Sequence, residues 1–304
     1  MIYRLVPNIQ RKIWGGKNLE HLKNIPVEMG VDPVGETWEI SIHPDGPSFF
    51  QGSKFTIDET TEELPYLVKL LDTSDVLSVQ VHPGDEYAKL HENSRGKTEC
   101  WVILKAEHGS GIYLGMKEGV TKDSFMEGLN QKRNMSEFLN FYPVAPGDFF
   151  YVPAGTIHAI GKGILMAEVQ QSSGVTYRVW DWDRLDSKGN PRDLHVKKSL
   201  DVLNFNPEAN VKSYFKVMHD LFSQNGKKEI IEHSTFKMSL VNLAKDQSIQ
   251  IPLAQQKRMR SILNFQGELS INGESVEKYS AVVFRNETSL NVRALSVTSF
   301  LFLE

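Results

Sequence analysis

Gln80 and His82 stand two residues apart in SVQVHPGDEY, residues 78–87. Strand alternation puts both on one face, opposite Leu77, Val79 and Val81. An amide and an imidazole placed this way are the beginning of a nitrogen and oxygen ligand set for a metal. Two more residues complete it. Glu99 opens ECWVIL and shares a face with Trp101 and Ile103; His158 lies in VPAGTIHAIG, launched by a tight turn at Pro153 and Gly155. Such a set suits Zn²⁺, and also Fe²⁺, Mn²⁺ or Co²⁺. Three protein ligands plus an exchangeable position are the usual form of a catalytic centre. The ordinary alternative stands beside this reading. A lone strand histidine is more often hydrogen-bonded and half-buried than a ligand, the chain has nine histidines, and His43 is also followed by proline.

Cationic residues accompany the set. Lys69 and Lys97 flank the ligands in sequence, although the default for a lysine is a solvated surface position. Arg178 interrupts VTYRVWDW, with Thr176 and Trp180 expected on its face. A buried arginine takes an anionic partner, here Asp181, Asp183, Glu168 or a ligand phosphate. Glu168 shares a face with Met166 and Gln170 in GILMAEVQ. It reads either as a group that orients a metal-bound histidine or as a general base kept dry.

The elements that must position these residues are short alternating runs. Candidate strands are 37–43, 65–71, 76–82, 99–105, 148–153, 163–170 and 175–182, then 237–243, 260–273, 280–286 and 290–303. Turn signals such as HPDG, HPGD, APGD, PAGT, SKGNP and INGE separate them. Many short strands with frequent turns predict a mainly β sandwich or barrel. Helices are expected at 84–93, 121–131, 136–141 and around 193–204, with Thr121 and Ser136 as N-caps. The two halves share one texture, which predicts a duplicated barrel whose second copy lacks the polar constellation. The expected division is 1–215 and 216–304.

Composition narrows the class. The 304 residues are 40% hydrophobic and 24% charged, with net charge −4. That predicts a well-cored globular protein without a nucleic-acid footprint. A single cysteine, Cys100, precludes an intramolecular disulfide and a cysteine-based zinc cluster. No secretory signal or membrane span is read from the sequence, so a cytoplasmic location is expected.

The runs LPYLVKLLD, LSVQVHPGDEYA, GKTECWVIL, GDFFYVPAGTIHAIG and EVQQSSGVTYRVWDWDR, with IWGG and GETWEISIHP nearer the N-terminus, resemble the type I mannose-6-phosphate isomerases in their short bacterial form. The likeness covers most of residues 11–185 and is looser over 230–304. It implies a cupin jelly-roll β-barrel with a few short helices and one Zn²⁺ per chain, in the first barrel. Gln80, His82, Glu99 and His158 then take the metal positions. Arg178 takes that of an active-site arginine, and Lys69, Lys97 and Glu168 line the pocket. The implied reaction interconverts mannose 6-phosphate and fructose 6-phosphate through an enediolate. Its candidate catalytic groups are Arg178, Glu168 and Lys97, and its candidate substrate-binding groups are Lys69, Lys97 and Arg178. The partner is a small sugar phosphate, and the chain is a monomer or homodimer. Gly84 departs from the more polar residue expected there. Rival readings are another metal-dependent cupin enzyme, such as a glucose-6-phosphate isomerase or an iron dioxygenase, and a non-catalytic sugar-phosphate-binding module.

Overall fold

The computed structural model describes residues 2–56, 64–185, 189–254 and 258–304. Four antiparallel sheets lie in layers among the described residues, with most of the short helices on the outer face of the five-stranded sheet. A five-stranded sheet orders Tyr177–Trp180, Val79–Val81, His158–Ile160, Gly111–Met116 and Leu139–Pro143. A six-stranded sheet faces it, ordered Phe149–Val152, Glu99–Ala106, Ile164–Gln171, Tyr66–Thr73, Val34–Ile40 and Asn8–Arg11. A seven-stranded and a four-stranded sheet form the second pair. The architecture is mainly β, with two sheet-on-sheet barrels.

The core clusters define the layering. Leu71, Trp101, Ile103, Phe150 and Met166 meet Ile112, Leu114 and Ile160 inside the first barrel. Tyr66, Val68, Leu70, Cys100, Val102, Leu165, Ala167 and Val169 pack on Met238, Leu240, Leu263, Ala281 and Leu301 between the barrels. The outer face of the five-stranded sheet, including Val79, Val81 and Ala159, is covered by Phe125, Met135, Phe138 and Leu203. The central strands of the six-stranded sheet are therefore buried on both faces, and Tyr66–Thr73 and Ile164–Gln171 are buried at every position. Alternation along these strands sorts two interiors, one packed against the second barrel and one facing the first barrel's cavity.

The helices agree in part. Asp85–Glu92, Lys122–Asn130 and Val196–Val202 fall within the predicted segments. Thr121 caps the second, its side chain accepting from Ser124 N–H while the Ser124 hydroxyl accepts from Thr121 N–H. The expected helix at 136–141 is instead a 3₁₀ turn, Met135–Phe138, capped by Asn134 rather than Ser136. It runs into the strand Leu139–Pro143, where edge pairing with Gly111–Met116 satisfies the backbone that a helix would have used. The SKGNP turn lies partly outside the described residues.

The first strand, Ile2–Val6, pairs with Ser280–Phe284 and so joins the seven-stranded sheet. The chain thus begins on the second barrel's sheet before entering the first barrel. Nothing in the local alternation of these five residues signals a partner at the far end of the chain.

Candidate metal centre and cleft

Register in the two facing sheets lines up the polar residues. Across the five-stranded sheet, Arg178, Gln80, His158 and Leu114 are successive partners. Across the six-stranded sheet, Trp38, Lys69, Glu168, Trp101 and Phe150 form the opposing row. Gln170 and Glu99 pair one step along it.

His82, Glu99 and His158 are buried, and one ligand atom from each lies within 4.8 Å of the others. His158 Nε2 is 3.2 Å from Glu99 Oε1, and His82 Nε2 is 3.5 Å from Glu99 Oε2. The outer nitrogens are fixed by the backbone: His82 Nδ1 donates to Val175 O at 2.9 Å and His158 Nδ1 to Thr156 O at 3.0 Å. A carbonyl can only accept, so each Nδ1 carries the proton and each Nε2 keeps its lone pair toward the centre. Burial, reinforced by Lys97, depresses both imidazole pKa values, that of His158 to about 4, which keeps the rings neutral. Gln80 reaches the same point, its amide nitrogen 3.1 Å from His158 Nε2. Half a turn of that amide presents its oxygen instead.

Local structure explains the placement. Val79–Val81 is a short strand, with Val79 and Val81 in the outer cluster as expected, leaving Gln80 to face inward. Leu77 does not share their face. The strand begins only at Val79, and Leu77 turns into the first barrel's core. His158 starts its strand just after a turn in which Thr156 N–H donates to Pro153 O, with Gly155 at φ +84°. Only glycine takes that conformation without strain.

Both lysines are buried and paired with carboxylates. Lys97 Nζ is 2.9 Å from His82 Nε2 and 2.9 Å from Glu99 Oε2. Lys69 Nζ is 3.2 Å from Glu168 and 3.4 Å from Glu36, over the Trp38 ring. Burial works to lower the Lys69 pKa, but Glu36 and Glu168 outweigh it and the net shift is upward. Glu36 is held down to about 2: burial opposes ionisation, and Lys69 and Lys12 overcome it. Trp101 Nε1 donates to Glu168 Oε2 at 3.2 Å.

Arg178 has none of the carboxylate partners expected of it among the described residues. Its Nη1 donates to Asp193 O at 2.7 Å, and its buried Nε has no partner among the described residues. Asp181 is engaged by Arg184 and Arg192. Burial, with Arg192 nearby, lowers the Arg178 pKa from its usual value. Trp180 is not on the Arg178 face either. A bulge between them turns Trp180 onto Trp182 and the outer cluster.

Lys69, Gln80, Lys97, Glu168 and Arg178 line a cleft of about 160 Å³ together with Lys12, Trp14, Glu36, Leu71, Leu77, Ser78, Ile160, Thr176 and Arg192, whereas His82, Glu99 and His158 are not part of its lining. Sequence reasoning missed Lys12, Glu36 and Arg192. Glu36 sits in GETWEISIHP with Trp38 on its face, which was its available signal. Arg192 arrives on a loop whose course no local pattern sets. A larger cavity of about 710 Å³ lies elsewhere, between the Lys117–Val120 turn and residues 205–213, and none of the site residues lines it.

Comparison with known proteins decides the family. The type I phosphomannose isomerase catalytic domain matches residues 51–99, and the quercetinase C-terminal cupin domain matches residues 221–304. The mannose-6-phosphate isomerase ManA of Bacillus subtilis is 37% identical over 288 residues, covering 89% of this chain and 87% of the relative. The chain belongs to the mannose-6-phosphate isomerase family. The Streptococcus mutans enzyme of that name is 41% identical over 221 residues, 68% of this chain and 69% of its own. The solved Bacillus subtilis mannose 6-phosphate isomerase superposes with a TM-score of 0.82 at 27% identity, covering 100% of this chain and 99% of that one.

Proposed function

We propose that this chain interconverts mannose 6-phosphate and fructose 6-phosphate in the cleft of the first barrel, with one Zn²⁺ held by Gln80, His82, Glu99 and His158. One observation carries the metal reading. Both Glu99 oxygens are buried without a hydrogen bond, Oε2 pairing with the Lys97 ammonium at 2.9 Å and Oε1 meeting only the His158 ring, and they face two imidazole lone pairs. A buried carboxylate oxygen left without a hydrogen bond, aimed at two neutral rings that offer it lone pairs, is costly unless a cation lies between them. Two neutral imidazoles, a carboxylate and an amide fit a borderline divalent ion.

Bound there, zinc supplies positive charge that stabilises the oxyanion formed as the C2 proton is removed. The other roles belong to side chains. Glu168, steadied by Trp101 and Lys69, is placed to move the proton between C2 and C1. Lys97, beside Glu99, adds charge at the metal end. Arg178, without a carboxylate partner among the described residues, is available to meet the substrate's anionic charge, and Lys69 offers a donor to sugar hydroxyls. Among the described residues the one His and carboxylate cluster able to hold a metal lies in the first barrel, which supports a division into a catalytic unit, 1–215, and a second unit, 216–304, with Ile2–Val6 pairing on the latter's sheet.

A coupled assay for fructose 6-phosphate formed from mannose 6-phosphate, with and without chelator, tests the reading. Turnover that chelator abolishes and zinc restores is expected. Tight sugar-phosphate binding without turnover would overturn it in favour of a binding module.

A further inference from the structure

The ligand-bearing segments come from distant parts of the chain, and one buried side chain outside the ligand set joins their supports. Gln171 is 2% exposed. Its N–H donates to Thr98 O at 3.0 Å, and its side-chain oxygen accepts from Thr98 N–H at 2.9 Å. Both backbone groups of the residue before Glu99 therefore end on Gln171. The amide nitrogen of Gln171 donates to the Asp85 carboxylate at 3.1 and 3.3 Å, and Asp85 Oδ1 also accepts from Gly96 N–H at 2.8 Å.

The same assembly reaches both histidine segments. Lys97 N–H donates to Pro83 O at 3.0 Å, next to His82, and Gly155 N–H donates to His82 O at 2.8 Å. The Thr98 hydroxyl accepts from Ala154 N–H at 3.2 Å, on the turn before His158. Gly96 makes the approach possible, because a Cβ there would lie 2.6 Å from Asp85 N and 2.7 Å from Gly84 C.

We infer that Gln171, with Asp85, is a positioning residue: a polar strut that sets the Lys97–Glu99 segment against His82 and His158 and thereby sets metal affinity. Groups behind a metal's ligands orient them, and losing one typically costs about 10–100-fold in affinity. The inference rests on the metal reading above but not on the isomerase reading.

The test is the Zn²⁺ dissociation constant of the full chain by chelator competition, measured beside the melting temperature of the metal-free protein. Gln171→Met keeps the side chain's bulk and removes its hydrogen bonds. Zinc binding is expected to weaken about 10–100-fold. Asp85→Ala, at the exposed end of the strut, is expected to weaken it in the same direction. The double variant should be no weaker than Gln171→Met alone, because groups acting as one unit are not additive. A dissociation constant within about two-fold of the parent in Gln171→Met, whatever its melting temperature, overturns the proposal, as do additive losses in the double variant. Should Gln171→Met fail to fold, Asp85→Ala decides by the same threshold. A parent that binds zinc without isomerising sugar phosphate sinks the activity reading and leaves the strut standing; a parent that binds no zinc overturns both.

Discussion

The two barrels share a plan and differ in what fills them. The first encloses Lys69, Gln80, His82, Lys97, Glu99, His158 and Glu168 at one end and an apolar cluster at the other. The second is filled by Val241, Ile251, Ile262, Leu269, Ile271, Val282, Leu290, Val292, Phe300 and Phe302. Its buried amides serve the backbone: Asn264 donates to the carbonyls of Gly267, Val276 and Glu277, and Asn242 to those of Leu221 and Gln224. One interior is closed by dispersion and apolar burial. The other is held by charges that satisfy one another only in part, and the unsatisfied part is where a ligand gains most.

That contrast can be broken at several points. The largest effect is expected from His82→Ala or His158→Ala, which should remove metal and activity together, read by metal analysis and the coupled assay; full activity in metal-depleted His158→Ala would contradict the site. Arg178→Ala should come next. It should lower kcat about 10²–10³-fold while metal content is retained, as for other lost charge-stabilising groups. Loss of metal in that variant would recast Arg178 as structural. In the second barrel, Phe300→Ala should cost about 3–5 kcal/mol in denaturant unfolding. The folded fraction should keep its KM, because no residue of that interior lines the cleft.

The smallest effect expected is that of Glu36→Gln, and it depends on pH. Glu36 is depressed to about 2 from 4.5, so its ionised form stabilises the fold above about 4.5 and that contribution disappears as pH falls toward 2. Parent and variant should therefore differ by about 1–3 kcal/mol near neutrality and converge in acid. A stability gap that stays constant between pH 5 and pH 2, on that scale of titration, would show that the Lys69–Glu36 pairing contributes little.

Much of the site was legible because strand alternation is a local property. Glu99 with Trp101, and Glu168 with Met166 and Gln170, needed only a period of two to be placed on one face. Leu77 and Trp180 escaped that rule where a strand started late and where a bulge intervened. The segment 136–141 looked helical because edge pairing with a distant strand leaves no mark on local propensity.

The sequence by itself determined the candidate ligand types, the β class and the family, since composition, alternation and motif order are all carried by neighbouring residues. Tertiary structure alone decided which charges meet. It buried Lys69 between Glu36 and Glu168, set Lys97 against His82 and Glu99, left Arg178 without a carboxylate among the described residues, and brought Lys12 and Arg192 to the cleft. It also paired the first strand with Ser280–Phe284. The reason is physical: ion pairing and strand partnership depend on distance through space, and residues far apart in the chain are brought within reach only when the sheets pack.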